Sequence, residues 1–158
     1  MKVFISHKDS DSYWASQIKA HLAKLRIDAY LDLLDQSTLS SGEELTNHIK
    51  QQLNSCTDIM IVVSDATKYS WWVPFEIGLS AQMNMPTASF VNRPVELPSF
   101  LTYWPQLHSM EDITKYVGVR LQVRAEVDAQ YRYSRFDSMA ARRRVETPLF
   151  YQKLKQRL

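Results

Sequence analysis

The chain predicts an α/β fold: a parallel β-sheet of about five strands with helices on both faces. Two observations carry this. Short apolar runs alternate with segments whose apolar residues recur at helical spacing, the order that builds βαβ units. The strongest run, Asp58-Ile-Met-Ile-Val-Val-Ser64, lacks polar alternation, as a parallel strand covered on both faces requires. At 158 residues, 45% of them hydrophobic and 23% charged, the chain is long enough for one globular domain with its own core.

Lys2-Val-Phe-Ile-Ser6 reads as a buried first strand, and His7 to Ser12 as a polar loop in which Asp11 or Ser12 caps the first helix. Trp14, Ile18, Leu22 and Leu25 mark that helix as amphipathic. Ile27 to Leu31 reads as the second strand. Asp32 to Gly42 is a long polar loop ending in Ser41-Gly42-Glu43-Glu44, a capping-box pattern, and the next helix shows Leu45, Ile49 and Leu53. After the Asp58–Ser64 strand comes a helix closing near Asn84, then a fourth strand over Thr87–Val91. Three prolines between Asn92 and Pro105 indicate a loop, and Gln106–Met110 a short edge strand. The next helix extends from Glu111 to about Tyr131, with Gly118 its weak point. A last helix runs from about Ser138 to Leu158, and Pro148 is expected to break or kink it.

Several classes are excluded or disfavoured by content. Cys56 is the single cysteine, so there is no internal disulfide framework and no Cys-built zinc site; its neighbours Leu53 and Ile59 point to a buried structural thiol. His21, His48 and His108 lack metal-ligand spacing, and no metal is expected. No run approaches the ~18 apolar residues of a membrane span, and the opening residues are too polar for a signal peptide, so no membrane association and a cytoplasmic location are expected. The phosphate-loop and dinucleotide glycine motifs are missing, as is the nucleophile elbow. The net charge of +2 hides an asymmetry: residues 1–117 hold nine Lys and Arg against 13 Asp and Glu, whereas residues 118–158 hold ten against four. Nucleic-acid binding through Arg142, Arg143, Arg144, Lys153, Lys155 and Arg157 is the less favoured reading of this tail. A helix face docking on its own acidic domain is the commoner outcome.

The segment that organises the rest is Ser70-Trp-Trp-Val-Pro-Phe-Glu-Ile-Gly-Leu79. Ser70 reads as an N-cap and Pro74 falls in the first turn, where a missing N–H does little harm. Trp72 and Glu76 stand four residues apart on one face, and Leu79 and Met83 continue the stripe. A carboxylate within an apolar stripe is costly unless something uses it. Parallel connectivity also gathers the Ser6–Ser12 loop, the Asp32–Gly42 loop and the start of this helix at one sheet edge, the natural place for a ligand.

These residues carry a family resemblance. Val3-Phe-Ile-Ser-His7 followed by Asp9 and Asp11, the long loop after the second strand, the Ile59–Ser64 strand and Trp72-x-x-x-Glu76 together resemble bacterial Toll/interleukin-1 receptor (TIR) domains. The similarity covers roughly residues 1–135, which implies a TIR domain of flavodoxin-like three-layer fold over 1–135 and a basic helical extension over 136–158, packed on or appended to it. It further resembles the small NAD-cleaving TIR proteins of antiphage defence. That resemblance implies cleavage of the nicotinamide–ribose bond of NAD, with Glu76 catalytic. Phe4, Ser6, His7, Asp32, Asp35, Leu39 and Trp72 would then border the substrate. NAD is a substrate there, and no cofactor is expected. The partners implied are further copies of the chain, through TIR–TIR contacts, and a separate effector protein that senses the product.

The chemistry suits one carboxylate. Nicotinamide departs neutral and needs no acid; the oxocarbenium-like ribose that develops is stabilised by a fixed negative charge. Ordinary glycosidases need two carboxylates. Each assignment also has a plainer reading: Phe4 as core, Ser6 as a turn former, His7 as a loop residue, Asp32 and Asp35 as loop formers or caps. Two other functions stay open, a non-catalytic TIR interaction module and a nucleoside deoxyribosyltransferase-like enzyme.

Overall fold

The computed structural model describes residues 1–31, 41–70 (the side chains of 68 and 69 apart), 72–97, 99–131 and 138–158. Five strands, β1 (Lys2–Ser6), β2 (Asp28–Leu31), β3 (Asp58–Val62), β4 (Thr87–Phe90) and β5 (Gln106–Leu107), form one parallel sheet in the order β2-β1-β3-β4-β5. Among the described residues five α-helices connect and cover them: α1 (Ser12–Lys24), α2 (Gly42–Ser55), α3 (Trp72–Gln82), α4 (Met110–Gln130) and α5 (Met139–Lys155). The three-layer α/β expectation holds.

Strand alternation sorts the apolar side chains into two cores. Val3 and Ile5 of β1, with Met60 and Val62 of β3, pack under α1, α4 and α5, through Ile18, Leu22, Tyr116, Val123, Phe150 and Leu154. Phe4, Ile59 and Ile61 face the other way, toward Leu45, Ile49 and Leu53 of α2 and Val73 and Ile77 of α3. Every residue of β3 is buried, as its unbroken apolar run anticipates.

The ends of the elements reflect local chemistry. Ser41, Ser109 and Ser138 each accept the backbone N–H three residues on, capping α2, α4 and α5. Ser109 thereby ends the last strand, so β5 is two residues long and not the five expected. After α1 and α3 the chain turns through Arg26 (φ 59°) and Asn84 (φ 52°). Paired bonds from Ile27 to Leu22 and from Met85 to Ser80 tie off the two helices, the left-handed termination that most often uses Gly.

Two expectations need correction. β3 stops at Val62, not Ser64, because Ser64 and Thr67 form a reciprocal capping box for a 3-10 turn over Asp65–Tyr69. And α5 runs unbroken through Pro148. Pro148 is exposed, so the carbonyl it leaves unpaired can be solvated, and Phe150 and Leu154 anchor the following turn in the core. Tertiary burial outweighs the local penalty. Gly118 likewise leaves α4 continuous.

The basic segment docks on its own domain. Arg142 bonds Asp128 (2.6 Å) and Glu146 (2.5 Å), Lys153 bonds Glu126 (2.9 Å), and Arg157 donates to Gln122 (2.7 Å). Tyr151 of α5 accepts the backbone N–H of Thr87 at 2.8 Å; burial, the main influence, pushes its phenol up to about 12. No described helix is long and apolar enough to cross a membrane.

Candidate active site

In the order 2-1-3-4-5 the connections diverge between β1 and β3, and ligands of open parallel sheets bind beyond the strand ends at that point. Ser6 closes β1 there and is fully buried. Glu76 arrives from the second turn of α3 and is 3% exposed. Ser6 Oγ donates a hydrogen bond to Glu76 Oε2, across 70 residues of sequence. A buried carboxylate at the switch point is thus held in place by a hydroxyl from the central strand, which fixes the position of one oxygen.

Two further contacts tighten the same edge. Asp11, buried at the start of α1, accepts from Ser64 Oγ at 2.8 Å and does not cap its own helix. The loops after β1 and β3 are thereby tied together. Lys8 Nζ reaches the Ala66 carbonyl at 3.4 Å across the same gap. Thr67, buried, accepts the Ser64 N–H (3.0 Å) and so stiffens the turn that leads to α3. Ser70 Oγ then accepts from Val73 N at 3.4 Å, the capping role expected of it.

Of the residues singled out from sequence, Ser6 and Glu76 meet directly. His7, immediately after β1, is half-buried, and its Nδ1 is buried with no hydrogen-bond partner among the described residues. Trp72 is half-buried one helical turn before Glu76, with its ring edge-on to Phe75 at 5.7 Å. Phe4 lies two residues before Ser6 on the same sheet face, fully buried, its ring 5.4 Å from that of Tyr30. Asp32, Asp35 and Leu39 lie outside the described residues. Asp11 and Ser64 are the contribution that sequence reading missed. The Ser64-x-x-Thr67 spacing, a capping pattern, was the available signal that the strand ends there.

Among the described residues no group of three His, Cys, Asp or Glu side chains is placed to hold a metal ion. Cys56 is buried at the opposite end of the sheet, and burial, the largest influence, pushes its thiol up and away from the reactive thiolate. What the edge offers chemically is one anchored carboxylate beside aromatic and imidazole surface, suited to stabilising positive charge on a bound molecule.

Comparisons with known proteins agree with this architecture. A "probable 3' cyclic ADP-D-ribose synthase ThsB'" of Bacillus cereus (strain MSX-D12) is 23% identical over 79 residues, which are 48% of this chain and 41% of that protein. The chain therefore spans less than half of that curated relative. The crystal structure of the TIR domain of the Toll-related receptor TRR-2 from Hydra magnipapillata superposes with a TM-score of 0.54 at 16% identity, over 66% of this chain and 82% of that one. That likeness is one of fold. A family model described as the TIR domain matches residues 3–130, most of the chain. On the strength of that match, together with the 2-1-3-4-5 sheet, this chain belongs to the TIR-domain family.

Proposed function

We propose that this chain cleaves NAD at the nicotinamide–ribose bond, with Glu76 as the catalytic carboxylate. The observation that carries the proposal is the buried Glu76 held by Ser6 at the sheet's switch point. The likeness to a probable cyclic ADP-ribose synthase supports it. In the reaction the C–N bond to the pyridinium breaks, its electron pair goes to the ring nitrogen, and nicotinamide leaves neutral. Positive charge develops on the ribose. A carboxylate already held in a water-poor site stabilises that charge without reorganising. Ser6 keeps Oε2 from swinging away. Water as acceptor gives ADP-ribose; a nucleophile within the same ADP-ribose gives a cyclic product.

In this reading the product is a nucleotide signal in bacterial antiphage immunity, sensed by a separate effector, and copies of the chain associate through TIR–TIR contacts. NAD is substrate, with no cofactor. The test is chromatography of NAD incubated with concentrated protein beside Glu76→Gln, with a deoxynucleoside plus free base as a parallel arm. Release of nicotinamide by wild type alone supports the assignment. Base exchange on the deoxynucleoside, or NAD loss that persists in Glu76→Gln, sinks it.

A further inference from the structure

A second constellation lies at the other end of the sheet, beneath the N-terminal ends of β1 and β3. A cavity of about 90 Å³ opens there, well above the ~10–15 Å³ one water needs. Among the described residues four arginines converge on its lining, Arg120 and Arg124 from α4 and Arg142 and Arg143 from α5, with Glu146 the one acidic residue. Two of the four are already balanced. Arg120 pairs with the fully buried Asp58 (Nε to Oδ1 2.5 Å), and Arg142 with Asp128 and Glu146.

The other two are not. Among the described residues no carboxylate pairs with Arg124 or Arg143; the hydrogen bond Arg143 makes is to the Cys56 carbonyl, at 3.0 Å. Burial, the largest influence on Arg143, makes its guanidinium hold its proton less tightly than usual, a cost that a bound anion would relieve. Arg120 is 7% exposed, and its Nη1 is buried without a hydrogen bond among the described residues; its ion-pair contact with Glu146 Oε2 is long, at 3.7 Å. The first two turns of α5 border the cavity, adding the positive end of a helix dipole.

We infer that this cavity between α4 and α5 is an anion site that takes a single tetrahedral phosphate group, free or as a monoester. Guanidinium forks match phosphate oxygens in pairs, and these guanidiniums line one small cavity. The site is independent of Glu76, since it lies at the opposite ends of the strands. It also differs from an exposed polymer-binding face, because Arg142 and Lys153 of α5 are spent on carboxylates of α4.

The test is thermal melting of the full chain in inorganic phosphate against chloride at matched ionic strength, with 5′-AMP as a second arm. The variants are Arg143→Gln and Arg124→Glu; Arg124 is exposed, so its replacement leaves the fold intact in chloride. Expected is a saturable rise in melting temperature in wild type, with the midpoint concentration raised about tenfold or more in each variant. Stabilisation stronger by AMP than by phosphate, and lost in both variants, identifies a monoester ligand; equal stabilisation identifies free phosphate. No rise beyond chloride, or the same rise in wild type and both variants, overturns the proposal. So does tight binding of duplex DNA that phosphate does not displace.

Discussion

Replacing Ser6 with Ala separates a catalytic from a merely structural role for the Ser6–Glu76 contact. Ser6 is fully buried and Glu76 nearly so, so no water replaces the lost hydroxyl without opening the site. A hydrogen bond to a charged group contributes about 1.5–3 kcal/mol. If Glu76 must be held in place while charge builds on the ribose, that amount is lost from the transition state, and kcat falls about 10- to 160-fold. KM should move little, because the bond is between protein groups and not to substrate. The assay is the initial rate of nicotinamide release at saturating NAD, well below the melting temperature, with melting curves to confirm folding. A Ser6→Ala protein within twofold of wild type, while Glu76→Gln is inactive, would refute the positioning argument.

The fold itself sets three further outcomes. Arg120→Met leaves Asp58 buried with only the Tyr116 (2.9 Å) and Thr57 (2.6 Å) hydroxyls among the described residues, so urea unfolding should show a loss of about 3–5 kcal/mol; a loss below about 1 kcal/mol contradicts the network. Native Tyr151 keeps its proton up to about 12, whereas an unfolded tyrosine ionises near ~10. The unfolded state therefore releases its proton first, and stability falls as pH rises through that window. Tyr151→Phe should flatten this alkaline slope, as melting across the window would reveal. Pro148→Ala restores an amide that can bond the Arg144 carbonyl and should raise stability by about 1–3 kcal/mol, or roughly 2–4 °C per kcal/mol; an unchanged melt would mean the helix has already relaxed around the proline.

Much of the fold was legible because it is local. The span of β1, the cap at Ser41, the Ser70 cap and the burial of β3 each depend on a few neighbouring residues, and pattern suffices for them. Glu76 stood out because a carboxylate in an apolar stripe conflicts with its surroundings. What pattern does not carry is pairing across the chain. Nothing in the residues around Asp11 says that its carboxylate goes to Ser64 and not to its own helix; that choice is made by the adjacency of β1 and β3. Pro148 is the converse case. Its propensity is unambiguous, yet Phe150 and Leu154 decide the outcome because they have a core to enter.

The connectivity also bears on how the protein comes into being. β1 is made well before α5, yet one face of it is covered partly by Phe150 and Leu154 of that helix. Ser6 and Glu76 stand 70 positions apart, and the parallel register that aligns them closes a loop of more than fifty residues. Loop closure of that length precedes any stabilising reward, so sheet assembly is slow relative to helix formation. A partly folded chain holds both Ser6 and Glu76 but neither the contact between them nor its dry surroundings. If Glu76 carries the NAD cleavage proposed above, that activity arises only with the completed topology, and partly folded chains are inert.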